Sequence, residues 1–395
     1  MEYIKLGEVI SSAKTERCGT SDYPVLSITK GDGIILQSDK FKKRIASTDT
    51  EQYKLVKRGQ LVQGIHIDEA NFGIQSVVDI GIVSPAYKIW NVDLQKIIPQ
   101  YLETVLRAPR SIRYYSSKFN GSVKRRERIT DDDFLAMEIP FPSKNRQQYT
   151  VDILEKARSL ITLYQQQLQK LDDLVKARFV EMFGDPEINS FDWPVCTLKE
   201  LVSIEPQNGL YKPQSAYVQD GSGFPIVRID AFYNGRITNF STLKRLECSE
   251  SEAQRYLLQE NDIVINRVNS IEYLGKCAHI KGLLEETVFE SNMMRLHLDD
   301  TVMNAVFATK LLCSQCIYKQ IMMRAKKAVN QASINQQDVL SFRMFVPPLE
   351  LQEQFAAFVA QTDKSKLLTQ IITRRLYKVA AQYRQEWMLC RTSDF

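Results

Sequence analysis

The chain is poor in the features that mark enzymes, membrane proteins and secreted proteins. It has no run of about 18 apolar residues and no basic-then-apolar leader, so neither a membrane span nor a signal peptide is supported. Its seven cysteines are scattered and odd in number, which argues against a secreted disulfide framework and for a cytoplasmic setting. His66, His279 and His297 stand apart from one another and show neither triad nor zinc spacing. A Gly-x-x-x-x-Gly-Lys-Ser/Thr loop is missing, so ATP hydrolysis is unsupported. Also missing are a Gly-rich cofactor loop and the Asn-Pro-Pro-aromatic word of amino-methyltransferases. Cys313-Ser314-Gln315-Cys316 has metal-like spacing, but no further ligands lie nearby, and on a helix both cysteines read as packing residues. The expectation is a non-catalytic chain with no metal and no cofactor.

What the chain does have is an internal duplication. At 395 residues, with 44% hydrophobic and 25% charged residues, it has room for two or three soluble domains. Leu6-Gly7-Glu8-Val9-Ile10 pairs with Leu198-Lys199-Glu200-Leu201-Val202, and Tyr23-Pro24-Val25 with Phe224-Pro225-Ile226. Gly59-Gln60-Leu61-Val62 pairs with Asn261-Asp262-Ile263-Val264, a turn feeding a strand. Ile129, Asp133, Leu135 and Pro142 each lie 205 positions before Ile334, Asp338, Leu340 and Pro347. Short apolar words recur by chance; their common order does not. A period near 200 residues is too long for a solenoid of roughly 20–50-residue units.

After each of those prolines the sequence turns helical, at Gln147-Gln148-Tyr149 and at Gln352-Glu353-Gln354-Phe355. The expected layout is a domain over 1–145, a helical spacer over 146–186, a second domain over 187–348 and a second spacer over 349–395. Both domains read as α/β with small sheets. Strands are expected at 25–28, 81–83, 86–89, 226–229, 262–266 and 294–298, and helices at 98–106 and 302–325. In the first spacer, Leu154, Ile161, Leu168 and Val175 fall at heptad position a, with Ala157, Tyr164, Leu171 and Arg178 at d. Seven of those eight are apolar or aromatic, and Gly184-Asp185-Pro186 ends the pattern. The second spacer, about 350–389, carries Phe358, Leu368, Ile372 and Val379 as packing candidates among many lysines and arginines. Neither helix is stable alone in water with such a seam exposed, so the two are expected to pack on each other as an antiparallel coiled coil. At roughly 1.5 Å per residue, about 37 residues make a rod of about 55 Å. Such a rod spans at most about 16 base pairs of duplex.

The words Leu171-Asp172-Asp173-Leu174-Val175-Lys176-Ala177-Arg178-Phe179 and Val180-Glu181-Met182-Phe183-Gly184-Asp185-Pro186 resemble the end of the central helix in type I restriction–modification specificity subunits. Ile139-Pro140-Phe141-Pro142 and Val346-Pro347-Pro348-Leu349-Glu350-Leu351-Gln352-Glu353-Gln354 resemble the words that lead into that family's helices. Through the duplication the resemblance covers essentially the whole chain. It implies two target recognition domains, each reading one half of a bipartite double-stranded DNA target. It also implies helices that dock two methyltransferase (modification) subunits, and two restriction subunits in the full complex. The recognition domains of the family vary, so the resemblance transfers no base code.

The net charge of +5 is mild; its placement says more. Lys124, Arg125, Arg126 and Arg128 precede the first helix, and Arg324, Lys326, Lys327, Asn330 and Gln331 occupy the matching place in the second half. Cations there suit phosphates, and Asn330 or Gln331 suits an adenine edge; a solvated charged loop is the bland alternative. Asn208, Tyr211 and Lys212 sit at an Asn-Gly step that reads equally as an ordinary turn. Asn266 and Arg267 follow a strand, where Arg suits guanine or else a structural carboxylate pair. Lys57-Arg58 before Gly59 reads as a turn. The leading expectation is a sequence-specific DNA-binding subunit; the alternatives are a DNA-processing enzyme such as a nuclease with a hidden site, and a coiled-coil adaptor that touches no nucleic acid.

Overall fold

The structure is a computed structural model, described here for residues 2–29, 33–40, 50–118, 129–237, 239–329 and 331–386. It forms two compact units, one of Met1–Gln166 with the segment from Gln370 onward, the other of Gln167–Thr369. Each unit contains one α/β fold and a stretch of each long helix.

Both folds are built on one frame. In the first unit, strand Tyr3–Lys5 pairs antiparallel with Glu138–Pro140. The following turn, Leu6–Glu8, is closed by a capping box in which Glu8 accepts from the Lys5 amide at 2.9 Å. In the second unit, Val195–Thr197 pairs antiparallel with Arg343–Phe345. The helix Leu198–Leu201 opens on the same device, with Glu200 accepting from the Thr197 amide at 2.6 Å. The Leu6 amide donates to Met137 O and the Leu198 amide to Phe342 O, each at 2.8 Å. The paired words of the sequence thus become paired structural positions.

The first fold carries a four-stranded antiparallel sheet ordered Ile10–Ser12, Lys88–Val92, Leu61–Gln63, Phe72–Ile74. Helices Pro99–Leu106 and Pro109–Lys118 cover it; both have proline in the first turn, where its missing N–H costs no hydrogen bond. Phe72, Trp90, Tyr115 and Phe134 form the aromatic centre of its core. Buried Trp90 keeps its indole N–H satisfied by Gln63 at 2.8 Å. The second fold carries a six-stranded mixed sheet ordered Val202–Asn208, Met293–Leu298, Ile263–Asn266, Cys277–His279, Gly235–Ile237, Phe232–Tyr233. The expected helix over 302–325 is two helices, Ala305–Leu312 and Gln315–Arg324. Ser314 explains the break, since its side chain accepts from the Ile317 amide and starts a new helix where periodicity alone continues the old one.

The central helix runs Lys144–Phe183 and the C-terminal helix Leu349–Glu386. Gly184 ends the first in the left-handed region, φ +80°, where a side chain would meet Ser190 and Phe191. Within the first unit, Gln165 donates to the Tyr377 hydroxyl at 3.2 Å. Within the second, Lys366 pairs with Asp172, and Phe355 meets Phe179 and Phe183 at ring distances of 5.4 and 5.5 Å. As numbers rise on one helix those of its partner fall, which is antiparallel packing. Ile161 and Val175 are buried in the seam, with Leu154, Tyr164, Leu168 and Leu171 half-buried.

The C-terminal helix differs from the expectation. Its buried positions are Gln352, Phe355, Val359, Thr362, Lys366, Thr369 and Thr373, spaced alternately by three and four. That stripe excludes Leu368 and Val379, which are exposed, while Phe358 and Ile372 are half-buried at its margin. Geometry rather than hydrophobicity selects the seam here, because the 3.5-residue step from Phe355 and Val359 continues onto threonines and a lysine.

Candidate nucleic-acid interface

In the second fold, four chain segments converge at one end of the sheets. Strand Val202–Asn208 runs on past Asn208 without turning: the Gly209 amide donates to Met293 O at 3.1 Å and the Leu210 amide to Phe289 O at 2.8 Å. Gly209 is required by this close pass, since a Cβ would collide with the carbonyl oxygens of Phe289 and Glu290. Asn208-Gly209 is therefore an extended crossing point and not a turn. Tyr211, just beyond it, is 77% exposed. Lys212 is paired with Glu252 at 2.7 Å.

Strand Ile263–Asn266 arrives from the other side. Asn266 is fully buried, its amide nitrogen 3.5 Å from Tyr273 O. The Arg267 backbone donates to Asn292 O at 2.8 Å and its guanidinium to Ser291 O at 3.2 Å. The next two residues, Val268–Asn269, form one edge of a small sheet with Ala332–Ser333 and Lys326–Lys327. The hairpin between the last two closes with the Ala328 amide on Gln331 O at 2.7 Å. Lys326, Lys327 and Gln331 are exposed on it. The fold thus places Asn266, Arg267, Lys326, Lys327 and Gln331 on adjoining backbone, although about 60 residues separate them in sequence.

Arg324 is engaged elsewhere. Its Nε donates to Ser341 Oγ at 2.8 Å, its Nη1 to Gln320 O at 3.0 Å, and the guanidinium lies over the Phe342 ring. Arg228, which the sequence did not single out, stands beside the same strand ends, 3.3 Å from Glu290 and over the Tyr217 ring. Asn266 Oδ1 and Arg267 Nε are buried there without a hydrogen-bond partner among the described residues, and Arg228 Nε and Glu290 Oε2, also buried, face each other as an ion pair without hydrogen-bond geometry. Unsatisfied buried polar atoms are uncommon in a finished core, and the two on Asn266 and Arg267 lie beside that ion pair at a polar end of the fold. Lys124, Arg125, Arg126, Arg128 and Asn330 lie outside the described residues. Arg58 does close a turn, its Nε bound to Asp79 at 2.9 Å next to Gly59 at φ +86°.

Asp262, His297, His279 and the cysteines Cys277 and Cys313 are engaged within the fold. Asp262, wholly buried, accepts from the Gln259 amide at 2.8 Å and sits 2.9 Å from His297 Nδ1. His279 faces Asn261 at 3.0 Å; burial first, and Lys281 second, hold its pKa down to about 4. Cys313 contacts Cys277 at 3.3 Å and not Cys316, so the Cys-x-x-Cys spacing brings no pair of thiols together. No group of acidic, His or Cys side chains suited to a metal ion occurs among the described residues. Among them too, no helix is long and apolar enough to cross a membrane.

Residues 191–375 match the family model described as the type I restriction modification DNA specificity domain. Over 189 residues the chain is 31% identical to the type I restriction enzyme MjaX specificity subunit of Methanocaldococcus jannaschii, covering 46% of this chain and 43% of that protein. Over 165 residues it is 28% identical to the type I restriction enzyme EcoKI specificity subunit of Escherichia coli K12, covering 41% and 34%. The chain thus spans less than half the length of these curated relatives. Among solved structures, the type I restriction-modification system S subunit from M. genitalium aligns with 99% of this chain and 96% of its own at a TM-score of 0.57 and 14% identity. A chain from a study of complex assembly and conformational transition of the type I R-M system aligns over 98% and 96% at a TM-score of 0.56 and 15% identity. At such identities the likeness is one of fold.

Proposed function

We propose, from the match of residues 191–375 to the type I restriction modification DNA specificity domain, that the chain is the DNA-reading subunit of a type I restriction–modification complex. Residues 1–145 and 187–348 act as target recognition domains, and 146–186 and 349–395 as helical spacers. Each recognition domain reads one half of a bipartite target in double-stranded DNA. Phosphate contacts from exposed lysines and arginines set affinity, and side chains at the strand ends set sequence. Methyl transfer falls to modification subunits docked on the helices, and cleavage to restriction subunits in the full assembly.

The observation that supports this reading best is the repetition of one frame in both units: paired strands, capping box and long helix. A single enzyme site has no need of two such frames, whereas a split target has. Methylation mapping of host DNA with and without the gene, partner subunits present, tests it. A two-part motif that vanishes on deletion is expected; methylation that ignores sequence, or that persists unchanged, refutes the proposal. Charge reversal at Arg125 and Arg126 weakens binding if the first basic segment contacts phosphates, and unchanged affinity at low salt retires that assignment.

A further inference from the structure

Strand Cys277–His279 opens on Cys277, and helix Ala305–Leu312 ends on Cys313 as its C-cap residue. The two sulfurs stand 3.3 Å apart although 36 positions separate them in the chain, and both lie in the second unit. Their surroundings differ. Cys277 is wholly buried, its Sγ also 3.8 Å from Thr309 O on the same helix. Cys313 is exposed, so it is the residue of the pair that solvent reaches. Gly235, at φ +83°, faces it without a side chain: a Cβ there would come to 3.7 Å from Cys313 Sγ and 3.9 Å from Lys310 Nζ.

The groups around Cys313 favour its thiolate. The Cys277 S–H donating to it first, then Lys310 and Lys276 in smaller measure, draw the Cys313 thiol below its ordinary pKa against the opposing pull of desolvation. Cys277 is pushed the other way, by that same contact and by burial. The thiolate is the nucleophilic form of cysteine, and an exposed thiolate beside a buried second thiol is the arrangement of an oxidisable pair.

We propose that Cys313 and Cys277 are a peroxide-oxidised thiol pair, which closes into a reversible disulfide and clips helix Ala305–Leu312 to strand Cys277–His279. The Cys313 thiolate attacks one oxygen of hydrogen peroxide. The O–O bond breaks, an S–O bond forms, and the departing hydroxide takes up the proton that the thiol released. The Cys277 sulfur then attacks the sulfur of the Cys313 sulfenic acid. The S–O bond breaks, the S–S bond forms, and the leaving hydroxide takes the Cys277 proton. Two thiols lose two electrons in all, and one peroxide becomes two waters. The bond joins segments 36 positions apart, so it restrains local opening of the helix from the sheet. The inference goes beyond the DNA-reading role and does not depend on it.

The test uses the full chain, reduced, treated with hydrogen peroxide while folded, and alkylated at its free thiols after unfolding. Mass spectrometry is expected to show the loss of two hydrogen atoms, a linked pair of peptides carrying Cys277 and Cys313, and complete return on adding dithiothreitol. Cys277→Ser leaves the Cys313 sulfenic acid unresolved, so it accumulates as a dimedone adduct. Cys313→Ser leaves Cys277 reduced and alkylated. Hydrogen exchange is expected to slow at the amides of 277–279 and 305–312 in the oxidised chain, and equal exchange in both forms overturns the clip. Both thiols alkylated after peroxide, a Cys313–Cys316 link in place of the expected one, or oxidation of Cys316 ahead of Cys313 overturns the pair. A Cys277–Cys313 link that forms equally fast in urea does so too, because the fold then directs nothing. Should a serine variant misfold, the wild-type peptide map against its urea control decides the question alone.

Discussion

Lys366 is the place where the seam of the two long helices is most exposed to a quantitative test. Its side chain is 4% accessible, and its ammonium lies 2.5 Å from Asp172 on the facing helix and 3.5 Å from Asp363 on its own. Asp363 is also held by Arg236 from the β-hairpin, at 2.6 Å. The neighbouring seam residues are threonines, so Asp172 has no other cation within ion-pair distance among the described residues. Lys366→Met keeps volume and helix propensity but strands Asp172. Removing one partner of a buried pair costs about 3–5 kcal/mol. Asp172 is 30% exposed and Asp363 keeps Arg236, so solvent and the second pair reduce this to about 2 kcal/mol. Asp172→Asn added to Lys366→Met removes the stranded charge and restores at least half of the loss, giving a coupling of about 1 kcal/mol in a double-mutant cycle. Urea unfolding followed by circular dichroism at helical wavelengths reports the stability change. Hydrogen exchange in peptides from 167–183 and 349–369 places it on the helices. A Lys366→Met chain as stable as wild type, with no coupling and unchanged exchange, shows that the ion pair is incidental and refutes the reasoning.

Three further outcomes follow from the geometry. Lys326→Glu with Lys327→Glu lowers affinity for all DNA sequences alike and flattens the dependence of log K on log salt by about 2, as two lost phosphate contacts require; an unchanged slope moves the contact elsewhere. Gly209→Ala forces the crossing strands apart and costs about 1–3 kcal/mol in thermal unfolding; an unaltered melting temperature denies the close pass. His279 has a folded pKa of about 4 against an unfolded 6.5, so the unfolded chain binds the extra proton between those values. Its contribution is complete above pH 6.5 and is lost as pH falls toward 4, up to about 3 kcal/mol. His279→Gln flattens that part of the stability profile, and a parallel profile locates the effect in another group.

How much of this was legible beforehand divides along physical lines. Local signals held. The heptads from Leu154 to Val175 appear as one continuous helix, Gly184 ends it, and the helix expected at 98–106 is Pro99–Leu106. The strand candidates recur within a few residues, as Leu26–Thr29, Ile80–Val83, Lys88–Val92, Phe224–Val227, Ile263–Asn266 and Met293–Leu298. Side-chain commitments were less legible. Lys212 and Arg324 carry the same charge in sequence as Lys326 and Lys327, but Glu252 and Ser341 occupy the first two, and those partners come from remote segments. Gln147 and Gln352 recur at 205 residues in the sequence, but only the structure shows that Gln147 donates to Pro142 O and Gln352 to Pro347 O.

By itself the sequence determined the order of parts, because helix, strand and turn preferences act over a few residues and a duplication preserves them in the same order. Only the tertiary structure decided which face of the C-terminal helix is the seam. Apolar patterning favours Leu368 and Val379, yet packing through Phe355 and Val359 continues onto Thr362, Lys366 and Thr369 and leaves the two aliphatic side chains in solvent. A helix face is chosen by the partner it meets, and that partner lies about two hundred residues away in the chain.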